Sequence, residues 1–174
     1  MADNYQKINH KFWNRKYHSP NVENMIFRLK PKLLDQYINP KKKLKVLDYG
    51  CGVGPTIEKV VNFNPQKITG IDISDISISK AKEKFKNFDH KIELLVDNCE
   101  KTKFSDNKFD IVYGLGILHH LQFTQSINEI SRILRPNGTL LFIEPLGTNP
   151  IINLYRKLSP KSRSEDEHPL VEKD

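Results

Sequence analysis

The chain has 174 residues, enough for one domain with a hydrophobic core, and its 37% hydrophobic and 28% charged residues are typical of a globular protein. Its net charge of +7 would suit a nucleic-acid or membrane partner, but the lysines are spread along the chain apart from a run at 41–43, so we expect a solvated surface. No apolar run approaches the roughly 18 residues that cross a bilayer, and the N-terminus lacks an apolar signal segment, so neither a transmembrane segment nor secretion is expected.

The first 43 residues are predicted to form a helical cap that precedes the main domain. Residues 1–20 are rich in aromatic side chains, which either form a flap over a ligand pocket or simply pack an N-terminal extension. Apolar residues recur at helical spacing over 21–38, and Pro31 is expected to kink or split this helix before Asn39 and Pro40 end it.

Two short apolar runs flank a glycine-rich loop between residues 44 and 73. Residues 44–47 are predicted to form a buried strand with Asp48 just after its end, and residues 68–73 to form a second strand that carries Asp72. A helical pattern from Ile57 to Val61 lies between them. The glycines alternate along the loop, at Gly50, Gly52 and Gly54.

This arrangement indicates a nucleoside-binding site. Glycines allow a close approach to a ligand, the first N–H groups of the following helix suit an anionic group, and an acid at the second strand end can accept from ribose hydroxyls. A dinucleotide site has the spacing G-x-G-x-x-G, whereas Gly54 comes one residue early for that pattern. Asp48 would also repel a pyrophosphate, and it suits a ligand that carries an ammonium group.

The rest of the chain continues as alternating helices and strands. Ser74 or Ser77 can cap the next helix, and residues 135–138 form a strong stop and turn before the last strand. The predicted elements are a helix with Ile78, Ala81, Phe85 and Phe88 on its apolar face, a strand over 92–96 buried on both faces, a strand over 109–115, a helix marked by Ile127, Ile130, Ile133 and Leu134, and a strand over 139–143. This alternation predicts an α/β fold with five parallel strands.

Polar groups and glycines follow four of these strands. Asp48 and the glycine loop follow the first, Asp72 the second, Asp97 and Asn98 the third, and residues 114–120 the fourth. Ligands of open α/β sheets bind outside the carboxyl ends of the strands, so we expect these groups to line one cleft. The structural alternatives are a helix N-cap for Asp72 and a turn residue for Asp97.

The glycine loop with its two flanking acids resembles motif I of the class I S-adenosylmethionine (SAM)-dependent methyltransferases. The resemblance covers residues 44–145 and is closest to the type-11 group, which methylates quinones, lipids and other small molecules. It implies a Rossmann-like doubly wound sheet of strand order 3-2-1-4-5, SAM as cofactor and a small-molecule methyl acceptor. Residues 113–116 lack the Asn/Asp-Pro-Pro-aromatic motif of base methylases, so no nucleic-acid partner is expected.

The resemblance also implies which residues hold the methionine part of SAM. The backbone of Gly50, Cys51 and Gly52 would wrap this part, with Gly54 in the same loop. Asp48 would hold the amino end, and the backbone at Gly114 would meet the methionine group from the fourth strand.

The adenosine part would be held by the second and third strand ends. By the same resemblance, Asp72 would accept from the ribose hydroxyls and Ile73 would pack on the adenine. Asp97 would accept from the adenine amino group, and a backbone N–H of Asn98 or Cys99 would reach a ring nitrogen. The two cysteines of the chain have neither a disulfide nor a metal-ligand spacing, so we expect reduced thiols in a cytoplasmic protein and no metal.

Candidate catalytic residues lie after the last two strands. His119 or His120 could act as general base for an oxygen nucleophile, because the pKa of histidine lies near neutral, or could simply pack beside the pocket. Glu144 is a second candidate for substrate contact. Methyl transfer can also proceed without a base, because the sulfonium already makes the methyl group electrophilic.

The chain departs from the family pattern after its fifth strand. The family fold ends in an antiparallel strand pair, which residues 149–174 do not match, so the chain is either a fragment or naturally short. We predict a SAM-binding core over 44–148, then a short helix over 149–158 that shields strand five, unless a partner chain does so, and a polar, loose tail. Methyl transfer is the expected function; the alternatives are a SAM-binding partner or sensor without turnover, and an NAD-dependent reductase.

Overall fold

A computed structural model describes residues 43–88, 91–144, 147–148, 153–154 and 157–158, together with His168 and Leu170. Within these ranges the strands are β1 (Lys45–Tyr49), β2 (Lys67–Asp72), β3 (Ile92–Val96), β4 (Phe109–Leu115) and β5 (Leu134–Ile143), and the α-helices are α1 (Ile57–Val60), α2 (Asp75–Phe85) and α3 (Phe123–Ile133). All strand pairs are parallel, in the order β3-β2-β1-β4-β5. The predicted α/β fold and strand order are confirmed. No helix in the described ranges is both long and apolar enough to cross a membrane.

The sheet is covered by helices on both faces, as a doubly wound sheet requires. On one face, α1 and α2 pack on the strands through Ile57, Val60, Ile78, Ala81 and Phe85. On the other face, α3 packs through Ile130 and Ile133. Successive residues of a strand point to opposite faces, so Val46 lies in the first cluster and Leu47 in the second.

The two outer strands differ from expectation. We predicted that β3 is buried on both faces, but only Leu94 of this strand is buried and Val96 is 46% exposed. The prediction was wrong because β3 lies at the edge of the sheet, where less protein covers it. At the other edge, the predicted turn over 135–138 is built into β5 as an irregularity: Phe109 is aligned with Leu134, whereas Ile111 is aligned with Thr139.

The elements around the glycine loop also differ in their ends. β1 continues to Tyr49, so Asp48 lies inside the strand and not after it. The helix after the loop has only four residues and continues as a 3₁₀ turn over Val61–Phe63, which Asn64 ends in a left-handed conformation. Ser74 caps α2 by accepting from the Ser77 N–H, as predicted.

The predictions for the two ends of the chain lie largely outside the described residues. The predicted cap over 1–43 lies outside the described residues apart from residue 43. Of the predicted helix over 149–158, the structure describes four residues, all of them helical: Asn153, Leu154, Lys157 and Leu158. The tail is not loose throughout: the His168 N–H donates to the His119 carbonyl (2.6 Å), and the Gly147 N–H to that of Leu170 (2.7 Å). The proposed boundaries at 43/44 and 148/149 stay predictions.

Candidate functional site

The glycine loop is a tight turn at the carboxyl end of β1. The Cys51 N–H donates to the Ile71 carbonyl of β2 (2.8 Å), and the Gly54 N–H donates to the Cys51 carbonyl (2.9 Å). Gly50 and Gly54 both have φ near +75°, where a side chain is strained. A Cβ on Gly50 would lie 2.6 Å from the Ile117 side chain, and one on Gly54 would lie 2.5 Å from the Phe85 ring. The loop is therefore wedged between the segment after β4 and helix α2.

The packing of Gly54 predicts a large cost for a single methyl group. We expect Gly54→Ala to lower the free energy of unfolding by about 2–4 kcal/mol, since the left-handed conformation and the overlap with Phe85 both oppose it. Gly116→Ala is a matched control, because φ is +66° there but a Cβ would have no neighbour closer than 3.7 Å. It should lose only about 1–2 kcal/mol in urea unfolding. If the two variants lost the same free energy of unfolding, the overlap with Phe85 would contribute nothing to the cost.

Asp72 ends β2 and is tied to the glycine loop. Its Oδ2 accepts from the Gly52 N–H (2.9 Å) and its Oδ1 accepts from the Ser74 N–H (2.8 Å), while the side chain is buried. The carboxylate is thus held by backbone donors on both sides, at the mouth of the loop. Each oxygen of a carboxylate has two lone pairs, so one such group can accept several hydrogen bonds.

Asp97 lies directly beside Asp72, because its own N–H donates to the Asp72 carbonyl at 3.1 Å. The Asp97 carboxylate is buried and organises the loop after β3, where it accepts from the N–H groups of Asn98 (2.9 Å) and Lys103 (3.1 Å). The Asn98 side chain in turn accepts from the Glu100 N–H (2.9 Å). Asp97 therefore stabilises the turn after β3, and it also lies at the carboxyl edge of the sheet.

Asp48 is a buried acid with a partner that sequence analysis missed. Tyr113 faces it across the β1–β4 register and donates its hydroxyl to Asp48 Oδ2 (2.8 Å). Burial raises the pKa of Asp48 to about 7; the Tyr113 hydrogen bond opposes this rise and the charge of Asp72 adds to it. The sequence showed a tyrosine near the end of β4, but the pairing depends on the strand register, which has no local signal.

The remaining residues of the predicted cofactor site line the same edge. Ile73 is half-buried just after β2. Gly114 is buried in β4, where a Cβ would lie 2.5 Å from the Phe142 ring. Cys51 and Cys99 are buried free thiols, and burial raises the pKa of both well above the usual value, so they are un-ionised near neutral pH.

The candidate catalytic residues form one cluster at the ends of β4 and β5. The Glu144 carboxylate lies 2.6 Å from His119 Nδ1, and the two side chains are only 6% and 8% exposed. Glu144 Oε1 also accepts from the N–H groups of Ile117 (2.9 Å) and Leu118 (3.0 Å). His120 is buried as well, with its ring centroid 3.9 Å from that of His119.

Contacts connect these groups into one region. Ile117 lies against Gly50 and Gly114, so the segment that Glu144 holds packs on the glycine loop. Three buried acids converge there from β1, β2 and the end of β3. Helix α1 is too short to provide the anion-binding end that we expected, and the acids would repel an anion. The chemistry of this region fits a cationic ligand that contains a ribose, such as SAM.

Comparison with known proteins identifies the family of this chain. A family model described as a methyltransferase domain matches residues 47–142. The chain is 32% identical to a sterol 24-C-methyltransferase of Aspergillus fumigatus over 116 residues, which cover 65% of this chain and 31% of that enzyme. It is 27% identical to a demethylmenaquinone methyltransferase of Chlorobaculum tepidum, over 84% of this chain and 57% of that enzyme.

Solved structures show the same fold. A SAM-dependent methyltransferase from Mesorhizobium loti superimposes with a TM-score of 0.59 at 20% identity, over 66% of this chain and 52% of that one. The chain thus spans between 31% and 57% of the length of these three proteins. Because the family model covers more than half of the sequence, the chain belongs to the methyltransferase domain family of the class I, SAM-dependent methyltransferases.

Proposed function

We propose that this chain transfers a methyl group from SAM to a small-molecule O, N or C acceptor. The observation that carries the proposal is the convergence of the buried acids Asp48, Asp72 and Asp97 around the glycine loop. Buried carboxylates are costly unless a cation or hydrogen-bond donors compensate them. Backbone N–H groups already donate to Asp72 and Asp97, and a ligand with an ammonium group, a sulfonium, a ribose and an adenine amino group would add a cation and further donors beside the three acids.

The adenosine part is proposed to lie over the ends of β2 and β3. Asp72 accepts from the ribose hydroxyls, Ile73 packs on the adenine, and Asp97 accepts from the adenine amino group. A backbone N–H of Asn98 or Cys99 donates to a ring nitrogen. The support for this orientation is the 3.1 Å hydrogen bond that places Asp97 beside Asp72, at the spacing of adjacent strands.

The methionine part is proposed to lie between the glycine loop and β4. The backbone of Gly50, Cys51 and Gly52 surrounds it, and Gly114 borders it from β4. Asp48 faces the ammonium group, directly or through a water molecule. The support is that Asp48 is buried at this point and that the Tyr113 hydroxyl, which donates to it, is neutral and cannot neutralise its charge.

The acceptor is proposed to be a small apolar molecule. The two curated relatives are named for the methylation of a sterol and of demethylmenaquinone, so polycyclic alcohols and quinols are the first acceptors to test.

No nucleic acid is proposed as acceptor, and a cytoplasmic location is proposed from the free thiols. Among the described residues β5 pairs only with β4, and Leu140 is 46% exposed; we propose that the segment 149–158 or a partner chain covers this edge.

The second candidate function is SAM binding without methyl transfer, in which the domain acts as a partner or sensor. The observation that favours it is the limited share of each relative that this chain covers, 31% and 57%. The family assignment replaces the third alternative, an NAD-dependent reductase.

Calorimetry and a turnover assay on the same preparation test these functions. We expect SAM to bind with a dissociation constant in the micromolar range, NAD not to bind, and S-adenosylhomocysteine to form with quinol or phenol acceptors. SAM binding with no product across the acceptor panel would favour the partner or sensor. No heat of binding from the folded chain would exclude both SAM-based functions.

A further inference from the structure

The Tyr49 hydroxyl connects the end of β1 with the loop that follows β3. It donates to the main-chain carbonyl of Cys99, and the tyrosine side chain is fully buried. Burial raises the pKa of Tyr49 well above its usual value, and the Ser126 side chain beside the hydroxyl opposes this rise only in part. The hydroxyl therefore keeps its proton near neutral pH and remains a hydrogen-bond donor.

This contact fixes a peptide group in the region proposed for the adenine. The Glu100 N–H belongs to the same peptide unit as the Cys99 carbonyl, and it donates to the Asn98 side chain (2.9 Å). Within the described residues no backbone N–H donates to the Cys99 carbonyl. A buried carbonyl needs a donor, and here the Tyr49 hydroxyl provides it. One side chain of β1 thus determines how this peptide is oriented.

The two backbone donors proposed for a ring nitrogen of the adenine are not equivalent. The Asn98 N–H already donates to Asp97 Oδ1 (2.9 Å). The carbonyl of Asn98 accepts from the Lys101 N–H (3.1 Å). In the part of the chain that the structure describes, nothing accepts from the Cys99 N–H. This N–H is therefore the donor that a ligand can use, and it lies one residue from the Tyr49 contact.

We propose that Tyr49 is a positioning residue for the adenine: by holding the Cys99 carbonyl, its hydroxyl directs the Cys99 N–H toward adenine N1. The inference rests on the proposed binding of SAM. It deepens that function, because it assigns recognition of the ring to a side chain outside the three acids and selects Cys99 over Asn98 as the donor. N1 is adjacent to the carbon that bears the amino group, so Asp97 and the Cys99 N–H would read neighbouring positions of one ring edge.

Other contacts keep the loop and the aromatic ring in place when the hydroxyl is removed. Glu129 of α3 accepts from the Thr102 N–H (2.9 Å), which ties the loop to the helix. The Tyr49 ring packs edge-on against Phe142, with 5.8 Å between the ring centroids. Phenylalanine retains this packing. Tyr49→Phe should therefore change the orientation of one peptide and leave the course of the loop unaltered.

Tyr49→Phe and Tyr113→Phe form a matched pair of variants. Each removes one buried hydroxyl from the sheet, but the Tyr113 hydroxyl donates to Asp48, on the side proposed for the methionine part. We expect the wild type to bind adenosine at least about fivefold more tightly than 1-deazaadenosine, in which a C–H replaces N1 and leaves the Cys99 N–H without an acceptor. Calorimetry should show that Tyr49→Phe loses most of this preference and that Tyr113→Phe keeps it. 7-Deazaadenosine, which retains N1, is the control ligand and should bind like adenosine.

The Cys99 peptide can also be observed directly by NMR. Without any ligand, the ¹³C resonance of the Cys99 carbonyl should move upfield in Tyr49→Phe and stay in place in Tyr113→Phe, because only the first variant removes its hydrogen bond. In the wild type, the Cys99 amide proton should move downfield with adenosine and not with 1-deazaadenosine. The measurement on the wild type needs no variant, so it tests the proposal even if Tyr49→Phe does not fold.

Three results would overturn the proposal. They are equal affinity of the wild type for adenosine and 1-deazaadenosine, an unchanged Cys99 amide resonance with adenosine, and a Tyr49→Phe protein that binds every ligand more weakly but keeps the full preference for N1. The last result would show that Tyr49 stabilises the fold without positioning the adenine. If the folded wild type bound neither SAM nor adenosine, the proposed function itself would be wrong as well.

Discussion

Asp48→Asn is expected to make the ligand-free protein more stable at pH 8 and, at the same time, to weaken SAM binding. Asn has nearly the same shape as Asp and can still accept the Tyr113 hydroxyl, which lies 2.8 Å from Asp48 Oδ2. The variant removes only the charge. Because burial raises the pKa of Asp48 from 3.8 to about 7, ionising this group in the folded protein costs about 4 kcal/mol, at 1.36 kcal/mol per pKa unit.

The direction of the pH dependence follows from the proton balance. Between pH 4 and pH 7 the folded protein holds a proton on Asp48 that the unfolded chain has released, so this contribution to stability is full below about pH 4 and is lost as pH rises to about 7. The advantage of Asp48→Asn in the free energy of unfolding should therefore grow between pH 4 and pH 7 and stay constant above it. Urea unfolding across this range measures it, and a difference that is the same at every pH would contradict the assignment.

Asp48→Asn should weaken SAM binding, although it stabilises the ligand-free protein. An ammonium group beside Asp48 favours the carboxylate, so SAM should bind the wild type more tightly as pH rises from 5.5 to 7.5, with release of a proton. In Asp48→Asn we expect affinity at pH 8 to fall about 10- to 100-fold, the loss of one charged hydrogen bond, and to vary little with pH. 5′-Methylthioadenosine, which has no amino-acid part, is the control ligand and should bind both proteins equally.

The strands and their polar ends could be predicted because their signals are local. β4 runs over Phe109–Leu115 as expected, and Asp72 and Asp97 lie at the ends of β2 and β3. A short apolar run followed by an acid or a glycine is visible in ten residues of sequence. The topology of a parallel sheet then places every carboxyl end at the same edge, so the nearness of the acids required no knowledge of side-chain packing.

The pairings within the site could not be predicted because they depend on register and on distant loops. Asp48 meets Tyr113 only because the two are aligned across β1 and β4. Glu144 meets His119 across 25 residues, through a segment whose turn it fixes itself. The exposure of β3 depends on its position at the edge of the sheet, where less protein covers it. The apolar run of this strand alone does not show whether the strand lies at an edge or in the centre.

Asp72→Asn is expected to have the largest effect on SAM affinity of any single change in this site, a loss of at least about 100-fold, since two charged hydrogen bonds to the ribose are each worth about 1.5–3 kcal/mol. The Asn side chain has only one oxygen, so one of the Gly52 and Ser74 N–H groups also loses its acceptor. A weaker glycine loop alone could therefore reduce binding, and the ligand comparison must separate the two causes. Asp75→Asn, an exposed acid three residues away at the start of α2, is the control and should change affinity less than about twofold.

Adenosine and 2′,3′-dideoxyadenosine make that separation, because they differ only in the two ribose hydroxyls. If Asp72 holds the hydroxyls, the wild type prefers adenosine by at least about tenfold and Asp72→Asn loses most of this preference, a coupling that general damage to the loop cannot produce. A variant that binds both ligands weakly but keeps the full preference would place the ribose elsewhere. The charge of Asp72 is also one cause of the raised pKa of Asp48, so Asp72→Asn should lower that pKa and move the pH dependence of unfolding to lower pH. The two acids are then coupled through their charges as well as through the ligand that they share.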